Sequence, residues 1–335
     1  MTRRPFGTLP DGTPVEALTL AGGGLTAEVL TLGAIVRDLR LEGHAPPLVL
    51  GFERLEDYLA HSRGHGASVG RFAGRIAGGR YELDGRPVEL EVNETACGNT
   101  LHGGANGIGK RVWRVESQAA DRVTLAIRDP AGNAGFPGNV DVLCHILLKE
   151  GALRIAYESR TDAPGPVNIA HHGYFNLDGA PDILSHRIRI DAPRYLPTRP
   201  NVAPTGEIAP VAGTPFDLLR LTEIGPRMAQ GGVAFDHCFC LSDAPEPPRV
   251  VARVESPGGL AMEVATTEPG VVFFASMAFE IEAPGLEGRR YGRGAGLCLE
   301  TQIWPDAINH ADFPNCVLRP GEVRVQETHY IFSRA

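Results

Sequence analysis

Two adjacent histidines, His171 and His172, stand among apolar and aromatic residues in the stretch 167–177. Histidine has an unperturbed pKa of about 6.5, so it is the side chain best suited to exchange protons near neutrality. A lone histidine among apolar neighbours is more often an ordinary core residue than a catalytic group. The pair therefore indicates proton transfer only if a residue of complementary chemistry lies elsewhere in the chain.

Glu300 is the strongest candidate for that complementary residue. It lies next to a tryptophan in the apolar run 297–304, Leu-Cys-Leu-Glu-Thr-Gln-Ile-Trp. Glutamate is almost never fully buried unless it is paired, so its presence in such a run needs a reason. Burial would raise its pKa and make it a plausible general base.

Three further clusters could hold a hydroxylated substrate. Arg71 and Arg75 are four residues apart and would share one face of a strand or a helix. They are either a pair of surface charges or a guanidinium fork for hydroxyls or an oxyanion. His102 precedes two glycines, which let backbone or ligand approach closely. Asp236 precedes His237. The two residues could form a local turn or an ion pair, or Asp236 could bind hydroxyls of the substrate.

Other chemistries find little support. The stretch 22–25 lacks the G-x-G-x-x-G spacing of a dinucleotide site, and no P-loop or activated serine competes with it. Cys238 and Cys240 have no second pair at zinc-finger spacing, and alternation along a strand would explain them, so we expect no metal. The six cysteines are scattered through a long chain, which favours free thiols and a cytoplasmic location.

Composition narrows the class of protein. The 335 residues are 43% hydrophobic, enough for a large core, and the formal net charge is -8. Without a long basic run, binding to nucleic acid is not expected. The N-terminus shows no apolar signal core, and no apolar run approaches the roughly 18 residues of a membrane helix. Because neither a linker nor a repeat divides the chain, we expect one domain over residues 1–335.

Alternation of apolar and polar residues predicts half-buried strands along most of the chain. It is seen at 26–32, 123–128, 153–158, 187–191, 249–254 and 262–265. Asp84-Gly85 between two such runs predicts a tight hairpin turn. Only short helices are expected, at 55–60 and 219–228. The pattern predicts an all-β protein, a large antiparallel β-sandwich with long loops that carry the polar clusters.

A series of motifs occurs in order along nearly the whole chain, at 69–76, 98–104, 110–113, 172–177, 195–198, 204–208, 235–237, 299–306 and 318–322. In these motifs the chain resembles the aldose 1-epimerase (galactose mutarotase) family. The resemblance implies a galactose mutarotase-like supersandwich. It also implies interconversion of the α and β anomers of a free aldose, a small monosaccharide, without metal or cofactor.

The resemblance also assigns roles residue by residue. Glu300 matches the family's general base, which takes a proton from the anomeric hydroxyl. His172 matches the general acid that protonates the ring oxygen. Arg75 and His102 match residues that contact the sugar near the reacting oxygens, and Asp236 matches one that holds its hydroxyls.

The chain departs from the family pattern at a few positions. Gly74 stands where asparagine is common, and Val272 occupies a position that can carry a substrate-binding glutamine. The stretch 63–65 reads Arg-Gly-His where Pro-Tyr-Phe is frequent, and 276–279 replaces a usual Gly-Asn-Phe stretch. These departures leave the acid and the base intact and bear on which sugar is preferred. His171 stands where asparagine is common, and we expect it to pack behind the site.

Three alternatives to a free-aldose mutarotase remain. An epimerase of hexose 6-phosphates would need an arginine clamp for the phosphate. A carbohydrate-binding protein without activity is expected to lack the acid or the base. A glycosidase could pair Glu300 with Asp236. A monomer or a homodimer would suit any of these functions.

Overall fold

The computed structural model describes residues 2–334, and within them the chain forms 26 strands and two α-helices. The strands of the first half are β1 (Thr2–Thr8), β2 (Pro14–Gly22), β3 (Leu25–Leu30), β4 (Ile35–Leu41), β5 (Ala67–Val69), β6 (Arg75–Ile76), β7 (Arg80–Leu83), β8 (Arg86–Glu89), β9 (Thr100–Leu101), β10 (Arg114–Gln118), β11 (Arg122–Asp129), β12 (Val140–Lys149) and β13 (Ala152–Thr161).

The strands of the second half are β14 (Gly165–Pro166), β15 (Ala170–His172), β16 (Arg187–Ile190), β17 (Arg194–Tyr195), β18 (Ala209–Pro210), β19 (Thr222–Glu223), β20 (Asp236–Cys240), β21 (Arg249–Glu255), β22 (Leu260–Thr266), β23 (Gly270–Phe274), β24 (Cys298–Gln302), β25 (Val317–Leu318) and β26 (Arg324–Arg334). The helices are α1 (Leu55–His61) and α2 (Ile224–Gly231). Single 3₁₀ turns occur at Ala77–Gly79, Ile108–Lys110, Asn133–Gly135, Leu286–Gly288 and Ala307–Asn309.

Three antiparallel sheets form the body of the fold. The largest has nine strands in the order β10-β11-β12-β13-β26-β22-β21-β16-β19. A five-stranded sheet has the order β18-β17-β20-β23-β24, and a four-stranded sheet runs from β1 to β4 in order. Apolar side chains from all three sheets, such as Val29, Ile146 and Phe273, meet in one buried cluster. The expected antiparallel β-sandwich is therefore confirmed.

The local sequence signals are confirmed except at one helix. The Asp84-Gly85 turn joins β7 to β8 with φ angles of 49° and 76°, the left-handed conformations that a tight hairpin needs. The first expected helix is α1, one residue longer than predicted. The second prediction, 219–228, was wrong at both ends, because α2 runs from Ile224 to Gly231. Thr222 pairs with Ile188 at the edge of the nine-stranded sheet, so the helix begins only at Ile224.

Neither helix within residues 2–334 has both the length and the apolar character that crossing a membrane requires.

Arg71 does not act in a fork with Arg75, and it is not a surface charge. Its side chain is buried, with 2% of the residue exposed, and its Nε donates to Oδ2 of Asp129 at 2.9 Å. Its Nη1 donates to the carbonyl of Pro137, and its Nη2 donates to the carbonyls of Asp129 and Gly138. Both sequence interpretations are thus wrong for Arg71, which holds the loop after β11 against the segment between β5 and β6.

Replacement of Arg71 by methionine should destabilise the protein by about 3–5 kcal/mol, because Asp129 would lose a partner while remaining buried. Urea unfolding followed by circular dichroism measures this change. Arg128→Ala is the matched control, since Arg128 pairs with Asp141 where both side chains are more than half exposed, and it should cost less than about 1 kcal/mol. Equal effects of the two substitutions would contradict the structural role of Arg71.

Candidate active site

All five residues that the sequence analysis assigned to a site line one cavity of about 810 Å³. They are Arg75, His102, His172, Asp236 and Glu300. His102 lies in the loop that follows β9, and the other four lie on the strands β6, β15, β20 and β24. The fold therefore assembles the site from distant parts of the chain. A large cavity with a few converging polar groups is the usual form of a small-molecule site.

Glu300 lies at the centre of β24, whose neighbour in the five-stranded sheet is β23. It stands opposite Val272 in this pair, so both side chains project from the same face of the sheet. Only 4% of Glu300 is exposed. Burial raises its pKa to about 8, and the nearby Asp236 carboxylate acts in the same direction while Arg75 opposes it.

His172 lies on β15 opposite Ala67 of β5. Its Nε2 is 3.5 Å from Oε1 of Glu300, and its Nδ1 is 3.5 Å from Sγ of Cys298. The ring of Tyr174 packs 4.9 Å away, centroid to centroid. Burial lowers the pKa of His172 to about 4, opposite in direction to the shift of Glu300.

These opposite shifts have one cause, because a buried site disfavours the charged form of either group. Between pH about 4 and about 8, Glu300 and His172 together therefore hold one exchangeable proton. That proton either sits on the carboxyl or forms an imidazolium beside a carboxylate, and the two groups titrate as a pair. A pair in this state can accept a proton at one atom and release one at the other.

Arg75 is held by carboxylates on both sides. Its Nε and Nη2 donate to Glu94 at 3.0 to 3.2 Å, and its Nη1 donates to Oδ2 of Asp236 at 3.2 Å. Arg75 thereby fixes the position of Asp236 at the cavity wall. Sequence reasoning missed Glu94, whose only signal is an acidic residue shortly before the 98–104 motif.

His102 adopts a φ of 52° and lies beside His172, with ring centroids 5.3 Å apart. The backbone N–H of Gly74 donates to its Nδ1 at 3.2 Å, so the neutral ring carries its proton on Nε2. Burial, then the charges of His172 and Arg75, keep the pKa of His102 well below its usual value. The close approach expected at the glycines is confirmed, since a Cβ on Gly103 would lie 2.2 Å from the carbonyl oxygen of Gly70.

His102, His172 and Glu300 have potential metal-ligating atoms within 4.8 Å of one another. The donor set suits a metal poorly at neutral pH. Binding through His102 Nε2 would displace its proton to Nδ1 and break the bond from Gly74, and Glu300 has a pKa of about 8, so it would have to give up a proton. Cys238 and Cys240 alternate along β20 as free thiols, as their spacing predicted.

His171 lies outside the cavity lining. It is 3% exposed, and its ring packs against the ring of Tyr330 with centroids 5.7 Å apart. Neighbouring residues of a strand point to opposite faces, which is why His172 faces the cavity and His171 faces the core.

Asn168 connects the segments that carry the site, and the sequence analysis gave it no role. Its Nδ2 donates to the carbonyls of Ala73 and Ile303, both at 3.1 Å. Its Oδ1 accepts from the backbone N–H of Ile303 at 2.9 Å and from Nε2 of Gln326 at 3.2 Å. The buried amide therefore uses all its hydrogen-bonding groups to hold the chain next to Arg75 against the end of β24.

The family model described as aldose 1-epimerase matches residues 16–331, nearly the whole chain. The chain belongs to the aldose 1-epimerase family. The members of this family are isomerases, and the chain is similar to two of them over nearly its full length. It is 39% identical to the galactose mutarotase of Rattus norvegicus, over 100% of this chain and 99% of the relative, and 34% identical to the aldose 1-epimerase of Escherichia coli (strain K12), over 96% of each.

Solved structures agree with the family assignment. An aldose epimerase homologue from C. elegans superposes with a TM-score of 0.88 at 27% identity, covering 95% of this chain and 99% of the other. A galactose 1-epimerase from Lactobacillus acidophilus superposes with a TM-score of 0.85 at 25% identity, covering 100% of this chain and 99% of the other. The galactose mutarotase-like fold implied by the sequence motifs is thus confirmed.

The shared proton predicts a bell-shaped pH profile. Catalytic efficiency, after subtraction of the uncatalysed rate, should be level between pH about 4 and about 8. It should fall above this range as the pair loses its proton, and below it as both groups become protonated. Polarimetry across this pH range measures the profile. Activity that keeps rising above pH 8 would contradict the requirement for a shared proton.

Proposed function

We propose that the protein is an aldose 1-epimerase that interconverts the α and β anomers of a free aldose by acid–base ring opening and closure. The observation that carries the proposal is the pairing of Glu300 and His172, 3.5 Å apart and buried, in one cavity with Arg75 and Asp236. This pair offers a proton acceptor and a proton donor to the two oxygens on one anomeric carbon.

The reaction uses each group twice. Glu300 takes the proton of the O1 hydroxyl while His172 gives a proton to the ring oxygen O5, and the C1–O5 bond breaks to leave an open-chain aldehyde. Rotation about C1–C2 presents the other face of the carbonyl. Glu300 then returns its proton to O1 while His172 takes the proton of the O5 hydroxyl as the bond forms again. Protons balance, and the pair ends as it began.

The other three residues bind the sugar. Asp236 offers a carboxylate to sugar hydroxyls, and the bond from Arg75 holds that carboxylate in place. His102, with its proton on Nε2, can donate a hydrogen bond to a sugar oxygen beside His172.

Two alternatives have less support. A phosphate clamp would need several free guanidinium groups. Within residues 2–334 two arginines line the cavity, Arg63 and Arg75, and Arg75 is engaged by Glu94 and Asp236. A glycosidase would need Asp236 as an independent partner of Glu300, whereas its carboxylate is bound to Arg75.

The free state of all six cysteines supports a cytoplasmic location. The buried cluster that extends from Leu18 to Phe332 supports a single domain over residues 1–335. We propose that this domain acts as a monomer or a homodimer.

Loss of either proton-transfer group should abolish most of the activity. Glu300→Gln and His172→Ala should each lower the catalytic efficiency by roughly 10²- to 10⁴-fold in polarimetry started from a pure α-anomer. His145→Ala is the control for the loss of a histidine, because His145 lies on β12 and bonds to Thr124 away from the cavity. Wild-type rates in either site variant would refute the assignment.

The same assay, run with different substrates, distinguishes the alternative functions. Free aldoses such as glucose and galactose should equilibrate faster with the enzyme than without it. A response only to 6-phosphorylated sugars would favour the phosphate-specific epimerase, and release of sugar from an aryl glycoside would favour the glycosidase. Sugar binding without acceleration would favour the carbohydrate-binding protein.

A further inference from the structure

Gln302, at the wall of the cavity, has a buried side-chain amide that makes no hydrogen bond within the residues that the structure describes. The residue is 0% exposed and lines the cavity. Within residues 2–334, neither its Oε1 nor its Nε2 has a hydrogen-bond partner. Leaving a buried polar group unpaired is costly, so native structures rarely keep one without a reason.

The other asparagine and glutamine residues that are buried within residues 2–334 have hydrogen-bonded side-chain amides. Asn168 makes four hydrogen bonds through its side chain, and Asn176 donates to the carbonyls of Ala180 and Ala295. Gln326 bonds to Asn168, to Glu268 and to the backbone of Ile169. Among the buried asparagine and glutamine residues of the part of the chain that the structure describes, Gln302 differs because neither atom of its amide is paired, and it lines the cavity.

Residue 74 is the neighbour of this amide, and as a glycine it has no side chain that could pair with it. A Cβ at Gly74 would lie 3.6 Å from Nε2 of Gln302 and 3.1 Å from the ring of Pro305. A side chain at position 74 would thus extend beside the amide and could pair with it. With glycine there, the amide is left for a group that enters the cavity.

The order of side chains along β24 gives the direction of Gln302 relative to the substrate. Residues 298, 300 and 302 share one face of the strand, successive members being roughly 6.6 Å apart. Cys298 contacts His172, so Gln302 lies on the far side of Glu300 from the imidazole. With O5 at His172 and O1 at Glu300, the next ring position along the strand is C2, the neighbour of C1 on the side away from O5.

We propose that Gln302 is a substrate-binding residue that recognises the C2 hydroxyl of the aldose. An amide both donates and accepts, as a hydroxyl does, so one hydroxyl can pair with Gln302 in either sense. The substrate class is therefore the 2-hydroxy aldoses, and 2-deoxy aldoses are discriminated against. This assignment rests on the proposed function.

The test compares aldoses with their deoxy analogues in two proteins. For the wild type, the catalytic efficiency with 2-deoxyglucose and 2-deoxygalactose should fall about tenfold or more below that with the parent sugars, after correction for the uncatalysed rates. In Gln302→Met, which keeps the size of the side chain and removes its hydrogen bonds, the parent and 2-deoxy sugars should be used with similar efficiency. The 3-deoxy and 6-deoxy analogues should show the same ratio to their parents in both proteins.

Two further variants keep the test decisive if Gln302→Met folds poorly. Gly74→Asn should reduce the discrimination against 2-deoxy sugars without altering Gln302. Asparagine tolerates the φ of 76°, and its side-chain amide can hydrogen-bond to the amide of Gln302 in place of the sugar. Gln118→Met is the control. Gln118 lies on β10, outside the cavity lining, and also has a buried Nε2 without a partner among residues 2–334, so its loss should leave the discrimination unchanged.

Each contrary result has a separate meaning. Equal discrimination against 2-deoxy sugars in the wild type and Gln302→Met, both active, overturns the role of Gln302 and leaves the proposed function standing. A change confined to the 3-deoxy or 6-deoxy analogue overturns the C2 assignment. A wild type that accelerates no aldose overturns the proposed function and this inference with it.

Discussion

The buried amide of Asn168 is the contact on which the geometry of the site depends. Glu300, His172 and Arg75 come from three separate strands, and short strands alone do not fix three side chains to within a few tenths of an ångström. Asn168 lies two residues before β15 and bonds to the residue before Gly74 and to the residue after Gln302. One side chain thus fixes the relative positions of the acid, the base and the arginine that holds Asp236. Because four hydrogen bonds satisfy it completely, the amide specifies this arrangement without leaving a polar group unpaired.

Burial determines the pKa values of Glu300 and His172 more than any specific charge does. Desolvation is the largest cause of the pKa shifts of both Glu300 and His172, and it acts in opposite directions on an acid and a base. The site therefore needs no metal to move protons near neutrality, since the two side chains share one. The carboxylates of Asp236 and Glu94 are paired with Arg75, which separates the binding of hydroxyls from the exchange of protons.

The sequence could predict the sheets because alternation and the Asp84-Gly85 turn are local signals that tertiary structure did not override. Glu300 stood out because a carboxylate in an apolar run is unusual, and the family motifs named its partners. Only the family motifs assigned the sugar contact to Arg75. The spacing alone could not separate Arg71 from Arg75, because two residues on one face can meet different partners, here Asp129 and the cavity. Asn168 and Gln302 were missed for the same reason. Whether an amide is satisfied depends on which distant carbonyls the fold brings to it, and composition and spacing do not contain that information.

The burial of the catalytic pair also sets a conflict between activity and folding stability. The pKa of Glu300 rises from 4.5 to about 8 on folding, so its contribution to stability is complete below pH 4.5 and is lost as the pH rises toward 8. The pKa of His172 falls from 6.5 to about 4, so its contribution is complete above pH 6.5 and is lost as the pH falls toward 4. These two ranges do not overlap. At every pH at least one member of the pair opposes folding, and the rest of the sandwich must supply the free energy that keeps the two groups in place.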